Sequence, residues 1–151
     1  MKYILRKATE KDFVAIHNLI HELAVFEKAS GQHSNSVQQM IEEQAYFNAF
    51  VVENQEGEII AMALYFIAYF TWVGKSLYLD DLYVKKEFRG EGIGKMLIDK
   101  IFEIAKKENC KRLRWQVLDW NTPAIDFYEK LGAKLDAGWI NCDFSYDKIR
   151  N

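Results

Sequence analysis

The segment Arg-Gly-Glu-Gly-Ile-Gly-Lys, residues 89–95, limits the fold most, because three of the chain's eight glycines fall within five positions of it. Before it, residues 75–84 read as a β-strand. After it, from about 92 to 108, Ile93, Leu97, Ile101 and Ile104 recur on one helical face. A further β-rich stretch at 112–118 completes a strand-helix-strand unit, whose strands are expected to be parallel and joined by a right-handed crossover. The chain therefore reads as α/β. Glycines at a strand-to-helix junction also let backbone N–H groups approach an anion closely, and the helix dipole favours negative charge there.

The remaining pattern surrounds this unit. Residues 3–7 read as a short strand, and Thr9 with Asp12 forms the signature of a capping box before a helix with Phe13, Ile16, Ile20, Leu23 and Glu27 on one side. Ser36 with Gln39 caps a shorter helix carrying Val37, Met40 and Ile41. Strands follow at 47–53 and 58–68, with a hairpin turn at 54–57 between them. Past the crossover, Asn121 or Thr122 caps a helix with Pro123 in its first turn, and Gly132 is placed for a left-handed residue at its end. A last strand is expected over 139–147, with Ile140, Cys142, Phe144 and Tyr146 on one side. Hairpins in the middle and a crossover afterwards make the sheet mixed.

A length of 151 residues, half of them apolar and only one proline, describes one compact domain spanning 1–151. The net charge of -2 conceals an asymmetry. Residues 85–114 carry ten basic and five acidic side chains, whereas the rest carries ten basic and seventeen acidic. A segment of +5 in a body of -7 argues against a nucleic-acid binder and for local attraction of an anion. The longest apolar run, 59–73, is short of the ~20 residues that a bilayer span requires, and the first residues lack the apolar stretch of a secretory signal. A cytoplasmic protein without membrane contact is expected. Cys110 and Cys142 are far apart and read as small buried hydrophobes, and His17 and His21, one helical turn apart, lack a third metal ligand.

Three phosphate-binding motifs fail on spacing. The Walker loop needs glycine where Arg89 stands and Ser or Thr where Met96 stands, and the dinucleotide and kinase glycine loops need glycine at Lys95. A glycine-rich turn without a ligand is the plain alternative. The pattern Arg/Gln-x-x-Gly-x-Gly/Ala is met by Arg89, Gly92 and Gly94, and it resembles the pyrophosphate loop of the GNAT superfamily of N-acetyltransferases. LYLDDLYVKKEFRGEGIG resembles that family's central strand and acetyl-CoA loop, and WQVLDWNTPAIDFYEKLGA its second CoA-contacting strand, loop and helix. HELAVFEK, TWVGK, LYLDDLYV and VLDWN are similar to strings in the diamine acetyltransferases, of the spermidine/spermine and thialysine types. Two positions depart from that group, which usually has Glu at Asp80 and an acidic residue at Ala137.

The resemblance implies a mixed, mostly antiparallel sheet with helices on both faces, and a metal-free acetyl transfer from acetyl-CoA to a small cationic amine in a homodimer. Leu82, Tyr83, Val84, Arg89, Gly90, Glu91, Gly92, Ile93, Gly94, Lys95, Asn121 and Ala124 would contact the cofactor, with helix capping as the alternative role of Asn121. Phe26, Glu27, Asp80 and Trp139 would form the amine site. An alkylamine with a pKa near ~10.4 must lose a proton before it attacks a thioester. Asp80 and Asp81 are the candidate acceptors; in a regular strand adjacent side chains point to opposite faces, so only one reaches the amine unless a bulge re-aims them. By resemblance that one is Asp80. Tyr128 would return a proton to the departing thiolate, although a tyrosine so placed on a helix is otherwise a packing residue. A protein or peptide acetyltransferase of the same fold, or a non-catalytic CoA-binding module, are the alternatives.

Overall fold

The structure is a computed structural model that describes residues 2–151. The chain divides into two compact units, one ending at Gln116 and the other comprising Val117–Asn151. In the first unit the strands are β1 (Ile4–Lys7), β2 (Asn48–Glu53), β3 (Ile59–Phe70), β4 (Gly74–Val84) and β5 (Arg112–Arg114), and the helices are α1 (Phe13–Phe26), α2 (Val37–Glu42) and α3 (Ile93–Lys107). The sheet order is β1-β2-β3-β4-β5. Neighbours are antiparallel except β4 and β5, which the α3 crossover makes parallel.

Local signals act where the sequence places them. The Thr9 N–H donates to Asp12 Oδ2 at 2.8 Å in the capping box before α1, and Arg6 of β1 donates to both oxygens of the same carboxylate at 2.8 and 2.9 Å. Those bonds hold the Asp12 carboxyl below the usual carboxylate range, with the arginine as the largest cause. The Ser36 Oγ accepts from the Gln39 N–H at 3.1 Å, which caps α2.

The core lies on both faces of the sheet. On one, Ile93, Leu97 and Ile101 of α3 pack on Val52, Ile60, Ala63, Leu77 and Leu79. On the other, Phe13, Ile16 and Leu19 of α1 and Met40 of α2 pack on Val51, Met62, Leu64 and Tyr83. Val51 and Val52, and likewise Met62 and Ala63, serve opposite clusters, as the period of two in a strand requires.

The second unit contains α4 (Thr122–Lys130), opened by Pro123, and α5 (Tyr146–Arg150). Gly132 closes the α4 region with a φ of 94°. Two sequence expectations are corrected here. The strand expected over 112–118 ends at Arg114, and the one expected over 139–147 is absent, its last residues forming α5 instead. A helix satisfies its hydrogen bonds within the segment, whereas a strand exists only against a partner's edge. Cys142, expected to be buried on that strand, is exposed as a result.

Candidate active site

The alternation of β4 breaks at its middle. Leu77 and Leu79 belong to the α3 cluster and so does Leu82, three residues on, which leaves Asp80 and Asp81 together between them. The ladder shows why: Asp81 pairs with Leu64 and Leu79 with Tyr65, so Asp80 has no counterpart on β3. This is a β-bulge. One extra residue lets adjacent side chains leave the strand on the same side, and the obstacle that regular pleating raised against using both carboxylates disappears.

Asp81 lines a recess with Ile20, Leu23, Ala24, Glu27, Ala29 and His33. Its carboxyl is pushed up to about 7, first by burial and then by the charges of Asp80 and Glu27. Burial also raises the carboxyls of Asp80, although that side chain reaches solvent, and of Glu27, where Asp80 adds to the effect. Three coupled acids at the end of α1 and the middle of β4 make a site in which a proton is readily held near neutral pH and a cation is attracted. The apolar wall from α1 supplies the desolvation.

Asp81 is the residue that sequence reasoning placed second. The resemblance favoured Asp80, and the signal that brings Asp81 to the recess, a register shift between β3 and β4, depends on pairing between distant segments. His33 was not foreseen at all. Its ring lies 4.8 Å from that of His17 and 6.2 Å from that of His21, and burial followed by these neighbours holds its pKa below the ordinary value. Among the described residues no group of histidine, cysteine or carboxylate side chains is suited to a metal.

The glycine segment follows β4 through a single 3-10 turn, Lys86–Phe88. Gly90 and Gly92 have φ of 82° and 83°, conformations that an L side chain rarely adopts, and nothing lies within 4 Å of where a Cβ on either would sit. No side chain caps α3 at Gly92. The first N–H groups of a helix lack intrahelical acceptors, so the turn offers backbone donors, glycine clearance and a dipole end together. That donor set fits a pyrophosphate. Glu91 is tied to Lys2 at 2.5 Å and Lys95 to Asp99 at 2.7 Å, which leaves the backbone N–H groups and the Arg89 guanidinium as donors of the segment.

Of the other expected cofactor residues, Leu82 and Val84 are half-buried against the α3 cluster and Tyr83 is buried. The β4–β5 ladder covers Ser76–Arg112 to Tyr78–Arg114, and β4 continues past it to Val84. Ile93 is buried in the core, and Gly94 lies where a Cβ would stand 3.9 Å from a Val84 methyl. Phe26 is not among the recess residues; its ring packs under the guanidinium of Arg89. In the second unit Asn121 precedes α4, but its side chain makes no capping hydrogen bond, and Ala124 and Tyr128 lie half-buried on that helix. Trp139 is exposed, and its Nε1 donates to Asp136 Oδ2 at 2.9 Å.

A five-stranded mixed sheet with a glycine-rich strand-to-helix junction and an acidic recess defines an α/β protein suited to an anionic and a cationic ligand, and comparison with known proteins identifies its family. The model of the Acetyltransferase (GNAT) family matches residues 12–133, so the chain belongs to that family and is an N-acetyltransferase. It is 37% identical over 161 residues to a thialysine N-epsilon-acetyltransferase of Sus scrofa, covering 97% of this chain and 95% of that protein. A Caenorhabditis elegans thialysine N-epsilon-acetyltransferase is 40% identical over 131 residues, covering 82% and 79%. Among solved structures, a possible acetyltransferase from Clostridium difficile 630 superposes with a TM-score of 0.76 at 22% identity, covering 97% of this chain and all of that one, which supports the fold.

Proposed function

We propose that the protein transfers the acetyl group of acetyl-CoA directly to a small primary amine, a diamine, polyamine or thialysine-like amino acid, in a ternary complex. The observation that carries this reading is the bulge at Asp80, which leaves Asp80, Asp81 and Glu27 as three coupled acids beside one apolar-walled recess. The names of the thialysine relatives accord with such a substrate. One domain of residues 1–151 performs the reaction, and the family match runs across the boundary between the two units.

In this reaction the amine nitrogen attacks the thioester carbonyl carbon, a C–N bond forms, and the C–S bond breaks. The amine arrives as an ammonium held by Glu27. The Asp80/Asp81 pair takes its proton, and Asp81, raised to about 7, has the basicity that suits exchange at neutral pH. Backbone N–H groups of the stretch Leu82, Tyr83 and Val84 stabilise the carbonyl oxygen as it gains charge. Tyr128 donates its phenolic proton to the departing thiolate, and the second proton that the amine nitrogen sheds as the amide forms returns to the phenolate. Arg89 and the backbone of Gly90 through Lys95 would hold the pyrophosphate, Asn121 and Ala124 would contact the cofactor, and Trp139 would contact the amine.

The direct test is CoA thiol release with spermidine, 1,3-diaminopropane, lysine, thialysine and a lysine peptide as acceptors. Turnover with one or more of the small amines and none with the peptide is expected. Binding of CoA without turnover of any amine would overturn the assignment. The chain also acts as a homodimer in this reading, because Trp139, Ile140, Phe144 and Tyr146 are 69–89% exposed, an unusual grouping for a monomer. Sedimentation of the wild type at about twice the chain mass, reduced toward one chain by Ile140→Asp, is the expected result.

A further inference from the structure

Arg89 opens the glycine segment, yet its side chain is held from outside it. Its Cζ lies 5.3 Å from the ring centroid of Phe26, at the end of α1, and 5.3 Å from that of Tyr83, near the end of β4. Its Nε donates to the Val84 carbonyl at 2.9 Å. Tyr83 is in turn buried, with its hydroxyl 3.4 Å from Glu22 Oε1. A guanidinium has five N–H donors in one plane. One donor on a carbonyl and two aromatic rings at 5.3 Å give the guanidinium fixed neighbours before any anion arrives.

We propose that Phe26 and Tyr83 are positioning residues for Arg89, and that Phe26 therefore acts on cofactor binding through that arginine and not on the amine. The proposal rests on the reading of the glycine segment as a CoA phosphate site. Neighbouring residues of a helix point about 100° apart, and the end of α1 uses this: Glu27 lines the recess, and Phe26, which does not, lies against Arg89. A flexible arginine loses rotamer freedom when it grips a phosphate, and a pre-placed one loses less. A cation–π contact of this exposed kind corresponds to roughly a two- to fivefold effect on affinity.

Calorimetric titration with CoA tests this on wild type, Phe26→Leu, Phe26→Trp, Arg89→Gln and the Phe26→Leu/Arg89→Gln double variant. Phe26→Leu is expected to weaken CoA binding about two- to fivefold and to leave the KM for the amine unchanged at saturating acetyl-CoA. Phe26→Trp keeps an aromatic face and restores the affinity. In the Arg89→Gln background, Phe26→Leu should have no further effect. Equal weakening in both backgrounds, or unchanged CoA affinity with a raised amine KM, overturns the proposal. Phe26 is 44% exposed, so these variants are expected to fold; should Phe26→Leu melt early, Phe26→Met repeats the same cycle. A wild type that binds no CoA overturns the reading of the glycine segment itself, and that result is visible before any substitution is made.

Discussion

The two units of this chain reach order by different routes. Up to Gln116, twenty-one of the described apolar residues are buried, twenty of them in clusters on both faces of the sheet. From Val117 to Asn151 no described residue is buried, and Ile140 is 89% exposed. The second unit nevertheless has two helices, and α4 starts and stops where Pro123 and Gly132 direct it. Helical order of this kind needs only local hydrogen bonds, whereas the strand expected in the same unit needs an edge to join. The recess carboxyls thus sit on a packed frame, whereas the proposed acid Tyr128 sits on a helix in which no residue is buried.

That contrast is open to test, beginning with stability. Leu97, wholly buried on α3, should lose about 2–5 kcal/mol on substitution by alanine, measured by urea unfolding. A loss below ~1 kcal/mol would show that the first unit is not the stable frame. Next in size is Tyr128→Phe, expected to lower kcat by roughly 100-fold or more while CoA affinity and melting temperature stay near wild type. Unchanged kcat would remove the proposed acid from the second unit.

A smaller effect concerns Asp81. Its folded pKa, about 7, is raised above that of an ordinary carboxyl, so the folded state binds this proton more tightly than the unfolded chain does. The resulting stabilisation is complete below the unfolded value of ~3.9 and is lost as pH rises through about 7. Asp81→Asn removes the buried charge and should raise the melting temperature at pH 8 more than at pH 5, while activity falls. A lower melting temperature at pH 8 would mean that the carboxylate is stabilised by contacts in the fold. The smallest expected change is in Ile140→Asp, which should alter the unfolding free energy of the dilute monomer by less than about 0.5 kcal/mol. A large loss there would show that the second unit has a core after all.

Much of the fold was legible because its signals are short-range. Thr9 with Asp12, Ser36, Pro123 and Gly132 act within one turn of the backbone, and the glycines at 90 and 92 sit where φ must be positive. The family strings around Arg89 and Asp80 were equally readable. The partner of Phe26 was not, since its contact with Arg89 joins residues 63 positions apart and follows from how α1 lies on β4. Nor was the choice between the two aspartates, because a one-residue shift in pairing leaves no mark in local composition.

The sequence by itself determined the α/β order, the crossover, the glycine-rich turn before α3 and the charge division between residues 85–114 and the remainder. The tertiary structure alone decided that Asp80 lies in a bulge, that Asp81 faces the recess near pKa 7, and that residues 139–147 form no strand. The physical reason is distance along the chain. Caps, glycine dihedrals and hydrophobic periods are properties of neighbours in sequence, whereas register, desolvation and edge pairing exist only between segments that folding brings together.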